Sequence, residues 1–256
     1  MVPARGTRYG AKIMTEPLVL SRAAGVLALA KPAGLATQAP AGGDSVEAWV
    51  RRQVAGGPQA YVGVPHRLDR AVSGVLLMAL TPRAARKLSR QFERREIGKA
   101  YVALVTESDA GPPLDAEWRD LVEKVPDEPR ARLAAAGSPA AREAVTVVRR
   151  VVRMPGDDGR GRWLLELLPR SGRMHQLRLQ AAVRGMPIVG DTLYGSPDGW
   201  EPAGAEDPRL AAIALHAWRI TYRDPDSGRE VTVEAPLPPT WPAAVVTLLT
   251  DRAAPA

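Results

Sequence analysis

Short apolar runs alternate with helical periodicities along most of the chain, and the breaks between them fall at glycine, proline and aspartate. Val26 to Ala30 reads as a strand closed by the turn Lys31-Pro-Ala-Gly34. Asp44 or Ser45 is placed to cap a short helix whose apolar face carries Val46, Trp49, Val50 and Val54, and Gly56-Gly-Pro58 ends it. Val75 to Leu80 is a continuous apolar run, as a buried strand requires, and it is entered through Gly74, read as a glycine turn. Thr81 as N-cap and Pro82 at the first helical position start a helix to about Arg95, with Ala84, Ala85, Leu88 and Phe92 toward the core.

Lys99 to Val105 alternates too little for a surface strand and reads as buried on both faces. Thr106 to Arg142 is weakly patterned and rich in Pro, Asp and Ala, so connecting turns and short edge strands are expected there. Glu143 to Val152 and Trp163 to Leu168 are β-rich runs joined by the turn Pro155 to Gly161, which predicts a hairpin. Ser171-Gly172 breaks the pattern before a helix from about His175 to Val183. Ala212 to Tyr222 and Arg229 to Ala235 flank Asp224-Pro-Asp-Ser-Gly228, a second hairpin, and Trp241-Pro242 opens a C-terminal helix. Strands outnumber helices and several neighbours are joined by tight turns. The expected class is therefore α+β, a mixed, mostly antiparallel sheet with helices packed on it.

Composition adds bounds. At 256 residues, 45% hydrophobic and 25% charged, the chain has enough apolar surface for a substantial core. The absence of cysteine excludes disulfides and thiolate metal sites. Of the net charge of +7, the stretch from Thr81 to Ala100 supplies +5, from seven Lys or Arg against Glu93 and Glu96. Arg170 to Arg184 carries four arginines and no acid. Charge clustered in this way suits a polyanion, and binding through it is salt-dependent. Arg22 splits the N-terminal apolar stretch, which argues against an export signal, and no run approaches a membrane span. The expectation is a cytoplasmic protein with a disordered extension at 1–17, the remaining 18–256 holding one large core or two modest ones.

The candidate chemistry centres on Pro65-His-Arg-Leu-Asp-Arg-Ala-Val-Ser-Gly-Val-Leu-Leu-Met-Ala79, which sets one carboxylate, Asp69, between Arg67 and Arg70. By itself this is equally a surface carboxylate paired with its neighbouring arginines. The three histidines, His66, His175 and His216, lack the close helical spacing of common zinc ligands, so no metal is expected. Ser73 with His66 and Asp69 has the residue types of a hydrolase triad, but no Gly-x-Ser-x-Gly elbow surrounds the serine.

Three further stretches change the reading: Gly98-Lys-Ala-Tyr-Val-Ala-Leu104; Ser171-Gly-Arg-Met-His-Gln-Leu-Arg178 with its continuation Gly190-Asp-Thr-Leu-Tyr-Gly195; and Ala214-Leu-His-Ala-Trp218. Together with Val26-Leu-Ala-Leu-Ala-Lys-Pro-Ala-Gly34 and His66-Arg-Leu-Asp-Arg70, and in matching order, they resemble the pseudouridine synthases of the RluA type. The resemblance implies one catalytic domain with a cleft across its sheet, acting on uridine in structured ribosomal or transfer RNA without a cofactor. It implies RNA as partner and no obligate protein partner, and a monomer is expected. The small RNA-binding module that many relatives carry at the N-terminus is not expected here.

By resemblance Asp69 is the nucleophile at the sugar or uracil, or the base at the adjacent sugar carbon. Arg178 is its counter-ion, since a fixed guanidinium within hydrogen-bond reach favours an ionised carboxylate in a dry cleft. Tyr101 stacks on the uracil and is placed to take the last proton from the ring carbon. Leu215 closes the pocket, and Arg67 is the wedge that fills the space left by the flipped base. His66, Arg70, Arg173, His175 and Gln176 complete the substrate-binding set. Arg83, Arg86, Lys87, Arg90, Arg94 and Lys99 are expected on the RNA backbone. Four residues depart from the family pattern: Ala30 for a frequent asparagine, Ala71 and Val72 for the usual Asp-Thr, and Gln180 for a common histidine. A non-catalytic RNA-binding or ribosome-assembly protein on the same fold is the competing expectation.

Overall fold

The computed structural model describes residues 16–40, 42–106, 116–155, 161–200 and 211–250. The expected N-terminal extension lies outside them up to residue 15, as does the hairpin turn at 156–160. The described strands are β1 (Leu18–Ala23), β2 (Val26–Lys31), β3 (Ser73–Ala79), β4 (Gly98–Thr106), β5 (Glu117–Lys124), β6 (Ala131–Leu133), β7 (Arg142–Pro155), β8 (Gly161–Pro169), β9 (Leu215–Arg223) and β10 (Glu230–Glu234). They form one sheet in the order β1-β2-β3-β9-β4-β8-β7-β5-β6, with β10 also on β9. Both predicted hairpins pair as expected, β7 with β8 and β9 with β10.

Four helices pack on the sheet: α1 (Val46–Gln53), α2 (Pro82–Glu93), α3 (Gln176–Ala182) and α4 (Ala243–Thr250). Ser45 caps α1 by accepting from the Ala48 amide at 3.1 Å, and Thr81 caps α2 by accepting from Ala84 at 3.2 Å. Helix α2 stops at Glu93, short of the expected Arg95, because Arg95 adopts a left-handed φ of 59°.

Beside a small cluster of Val122, Ala131, Ala144 and Leu179, two large apolar cores result. One joins β2 and β3 to Val46 and Val50 of α1 and Ala84 and Leu88 of α2. The other joins β4, β7 and β8 to Leu177 and Ala181 of α3 and Val245 and Leu249 of α4. Strand β9 lies between them, and Tyr101 packs against both.

The sheet is antiparallel except where β3 meets β9, through only two register pairs, Ser73 with His216 and Gly74 with Ala217. Gly74 is therefore inside a strand and not the turn expected from sequence. Its φ of +124° suits glycine, and a Cβ there would lie 2.3 Å from the Ala217 carbonyl oxygen. Ser73 donates to His216 Nδ1 at 2.8 Å, and His216 Nε2 donates to the Ala235 carbonyl at 3.1 Å. Burial holds His216 down to about 4, so it stays neutral in this role. Ser73 is buried, and its hydroxyl is bonded to His216 rather than standing in the cleft.

Strand β1 was not expected from sequence. It is an edge strand with Leu18 and Val19 exposed, and its Arg22 breaks the apolar pattern.

Candidate active site

Residues 64–69 have no regular secondary structure, yet they carry the candidate catalytic carboxylate. A cradle built from residues 31–37 holds them. Thr37 Oγ1 donates to the Leu68 carbonyl at 2.9 Å and accepts from the Leu68 amide at 3.1 Å. On the other side of Asp69, the Arg70 carbonyl accepts from the Gly34 amide at 2.8 Å and from Lys31 Nζ at 3.2 Å. Lys31 is 1% exposed and also donates to the carbonyls of Pro32 and Leu35, each at 2.8 Å. Burial pulls its ammonium down to about 7, against the pull of the Asp69 charge. His66 anchors the start of the segment, accepting from the Leu77 amide at 2.9 Å and stacking on Phe92 at 4.5 Å between centroids. Burial holds His66 at about 3, with Lys99 adding to the shift, so it is a neutral acceptor.

Helix α3 delivers the facing cation. Its N-cap, His175, takes the left-handed φ of 50°, which turns the chain sharply out of the Ser171–Arg173 loop. Gln176 Oε1 accepts from Ser171 Oγ at 2.7 Å and from the Arg173 amide at 3.0 Å, while its Nε2 donates to the Val145 carbonyl and Thr146 Oγ1. Gln176 thereby spends its hydrogen-bonding capacity fixing the loop and helix to β7. Gln180, where the family commonly has histidine, is fully buried and bonded to Thr146, Asp120 and two carbonyls.

Arg178 is 7% exposed and extends toward Asp69, with Nη1 to Oδ2 at 3.6 Å, an ion-pair distance longer than a hydrogen bond. Its short bonds go elsewhere: Nε to Asp191 Oδ2 at 2.6 Å and Nη2 to Asp191 Oδ1 at 2.7 Å. Burial works against the Arg178 charge, but these bonds and the Asp191 and Asp69 charges outweigh it and hold the guanidinium above its ordinary value. Tyr194 lies under the guanidinium, 5.2 Å from its centroid. Its hydroxyl accepts from the Ala131 amide at 2.9 Å and lies 3.0 Å from His175 Nδ1. His175 Nε2 is 3.7 Å from Asp69 Oδ2, and burial holds this imidazole below its ordinary value despite the nearby carboxylates.

Tyr101 enters the site from β4. It pairs with Leu167 on one side and Ala217 on the other, at a bulge between Ala100 and Tyr101 that skips Trp218 of β9. A bulge of this kind re-aims a side chain. Burial, together with the Asp69 charge, pushes its phenol well above the ordinary value, so Tyr101 is protonated at neutral pH. Leu215 begins β9 beneath it.

These groups line one cleft of about 1080 Å³. It brings together Asp69, Tyr101, Arg178, Arg67, Leu215, His66, Arg173, His175, Gln176 and Lys99 from the sequence-based set. It does not include Arg70, whose side chain is exposed, nor Arg83, Arg86, Lys87 and Arg90 of α2, nor Arg94 at its C-cap. Arg83 instead pairs with Asp226 at 3.3 Å, Lys87 donates to the Pro225 carbonyl, and Arg94 lies 3.9 Å from Glu96. Lys99 donates to the Ser171 carbonyl at 3.1 Å across the cleft floor, and burial, with Arg95 adding to it, lowers its ammonium to about 8. Arg95, Arg170 and Arg219 line the same cleft without having been singled out. With Arg67, Lys99, Arg173 and Arg178 they outnumber the lining acids, Asp69 and Glu93.

Sequence reasoning also missed Lys31, Thr37, Asp191 and Tyr194 as site residues. The available signals were a lysine ending a fully apolar run and a lone carboxylate within the Gly190-to-Gly195 motif. Among the described residues, no group of three or more His, Asp or Glu is arranged to hold a metal ion. No described helix is long and apolar enough to cross a membrane.

Known proteins resemble this chain in sequence and in fold. Residues 25–183 match the family model described as RNA pseudouridylate synthase. The Escherichia coli K12 dual-specificity RNA pseudouridine synthase RluA is 38% identical over 178 residues, spanning 67% of this chain and 71% of the relative. The Salmonella typhi tRNA pseudouridine synthase C is 34% identical over 71% of this chain and 70% of its own length. The Xanthomonas campestris ribosomal large subunit pseudouridine synthase D is 35% identical over 83% of this chain and 63% of its own. Among solved structures, human RNA pseudouridylate synthase domain containing 1 superposes with a TM-score of 0.68 at 22% identity, covering 100% of this chain and 99% of that one. That likeness speaks to the fold. With matching sequence family, fold and motif order, this chain belongs to the RNA pseudouridylate synthase family, as a member of the RluA type.

Proposed function

We propose that this chain isomerises uridine to pseudouridine in structured ribosomal or transfer RNA, with Asp69 as the reacting carboxylate. The observation that carries the reading is the convergence, in one basic cleft, of a cradled Asp69, the guanidinium of Arg178 at 3.6 Å and the bulge-aimed Tyr101. The names of the relatives, which include ribosomal and transfer RNA synthases, support both substrate classes.

The reaction detaches uracil from the sugar at nitrogen, turns it in the pocket and rejoins it through a ring carbon. Asp69 attacks or deprotonates at the nucleotide, and the buried Arg178–Asp191 pair keeps a cation beside it without a mobile side chain having to arrive. Tyr101 holds the uracil by its ring face, which tolerates rotation of the base. Its phenol is held protonated partly by the charge on Asp69. When Asp69 spends that charge in a bond to the nucleotide, the phenol releases its proton to solvent more easily, and the phenolate so formed then takes the last ring proton. Arg67, exposed at the cleft mouth, is positioned to occupy the space of the flipped nucleotide. Phosphates are neutralised by the cleft cations, and Arg86 and Arg90 on the exposed side of α2 extend the basic surface beyond the cleft.

The test is chemical mapping of pseudouridines in the host's stable RNAs with and without the gene. Loss of a defined set of pseudouridines on deletion, restored by the wild-type gene, supports the proposal. An unchanged map contradicts it.

A further inference from the structure

Asp69 sits in a segment with no strand or helix to fix it, so its position depends on what grips the adjacent backbone. On the C-terminal side the grip comes from Lys31 and Gly34 on the Arg70 carbonyl. On the N-terminal side, beyond the His66 anchor, the peptide groups next to Asp69 are gripped by Thr37. Thr37 Oγ1, in a residue 3% exposed, both donates to the carbonyl and accepts from the amide of Leu68, closing a small ring with the peptide groups that precede Asp69. Thr37 is itself fixed to the start of α1: the Glu47 amide donates to its carbonyl at 3.1 Å, and the Val46 amide donates to Ala36 at 2.9 Å. A rigid path thus runs from the α1 N-terminus through one hydroxyl to the reacting carboxylate.

We infer that Thr37 is a positioning residue for the isomerisation, setting the height of Asp69 in the cleft by locking both polar groups of Leu68. The inference rests on the synthase reading for its catalytic consequence, whereas the clamp itself does not. A hydroxyl is the smallest group that can donate and accept at once, so serine satisfies the clamp and valine, of nearly the same shape, satisfies neither half. Leu68 is buried, so in a valine variant its amide and carbonyl lose partners that water does not readily replace, and the segment is released. A displacement on the order of 1 Å at a reacting group lowers rate by about a hundredfold while leaving remote binding contacts in place.

The experiment compares Thr37→Val, Thr37→Ser and Ser45→Ala in the full chain. Ser45→Ala removes the α1 cap in the same region without touching Leu68, and so controls for stability loss alone. Single-turnover pseudouridine formation and filter-binding affinity are measured on unfractionated RNA from a strain lacking the gene. Hydrogen–deuterium exchange of the peptide containing Leu68 and Asp69 is measured on each protein without RNA. The expected result for Thr37→Val is a rate lowered about ten- to a hundredfold with affinity within about twofold of wild type, and faster exchange at Leu68. Thr37→Ser is expected to restore both, and Ser45→Ala to alter neither. Unchanged exchange at Leu68 in Thr37→Val overturns the clamp whatever the enzyme makes. Faster exchange with an unchanged rate, or an equal rate loss in Ser45→Ala, overturns the positioning role. A wild type that forms no pseudouridine overturns both that role and the synthase reading, leaving the clamp to be judged by exchange.

Discussion

Arg178 and Asp191 form a two-pronged buried ion pair at 2.6 and 2.7 Å, and the same guanidinium reaches Asp69 only across 3.6 Å. The cation that faces the proposed reacting carboxylate is thus held by a different carboxylate, which lies on the segment after α3 and is 1% exposed. Its position is set before any substrate arrives, and the longer gap to Asp69 leaves that group free to engage the nucleotide.

Asp191→Asn tests this arrangement. Removing one partner of a buried pair strands the other charge, which typically costs about 3–5 kcal/mol. Urea unfolding of the variant is expected to show a loss of about 3 kcal/mol, with Asp69 partly compensating as the remaining acid. A loss below about 0.5 kcal/mol, the scale of an exposed pair, would show that Asp191 does not hold Arg178 in solution.

Tyr101 separates ring from hydroxyl. Tyr101→Phe is expected to keep the fold and RNA affinity while lowering the single-turnover rate by about a hundredfold or more, because proton transfer by a placed side chain is worth about 10²–10⁴. Tyr101→Ala is expected to weaken binding of the flipped base as well, by about 1–3 kcal/mol. Equal rates in wild type and Tyr101→Phe would remove the hydroxyl from the chemistry.

Lys31 gives stability a pH dependence of defined sign. Its folded value, about 7, lies below the ordinary 10.5, so between those limits the unfolded chain binds more protons. Stability from this group therefore rises with pH across that window, by up to about 1.4 kcal/mol per pH unit, and is flat in pH below it. Lys99, lowered to about 8, acts in the same direction over the upper part of the window. Subtracting the profile of Lys31→Met from wild type isolates the first group. A difference that falls with pH between 7 and 10 would contradict the assignment.

Gly74→Ala probes the joint between the two cores. The new Cβ would stand 2.3 Å from the Ala217 carbonyl oxygen and 2.5 Å from its nitrogen, on a residue with φ of +124°. Since neither strand can retreat without breaking the two-pair junction of β3 and β9, thermal unfolding is expected to show at least about 2 kcal/mol of destabilisation. A neutral substitution would mean that the junction opens easily.

The elements were largely legible in the pattern of the chain, and the reasons are local. Thr81 and Pro82 announce α2 because capping chemistry acts within four residues, and the Asp224 to Gly228 turn announces the β9–β10 hairpin for the same reason. What depended on distant partners was not legible. Gly74 looked like a turn because only the approach of β9, more than a hundred residues later, shows that it makes room for Ala217. Strand β1 was hidden because an edge strand keeps polar residues that a buried strand would not. At the site, Asp69, Tyr101 and Arg178 were singled out through motif resemblance, and the structure brings them to one cleft. Asp191, Lys31 and Thr37 escaped because their importance lies in whom they bond, and spacing alone does not encode that. The basic stretch from Thr81 to Ala100 illustrates the opposite limit. Charge clustering located it, but of its cations only Arg95 and Lys99 line the cleft, while those on α2 lie outside.

The central claim is that the Asp69 carboxylate performs the reaction, and Asp69→Asn, nearly isosteric and uncharged, addresses it most directly. Purified wild type and variant are incubated with RNA from a strain lacking the gene, and pseudouridine is quantified chemically alongside RNA affinity. The account predicts that the variant binds RNA within about threefold of wild type, because phosphate contacts supply most of the affinity, yet forms no pseudouridine. Conversion by Asp69→Asn at the wild-type rate would contradict it.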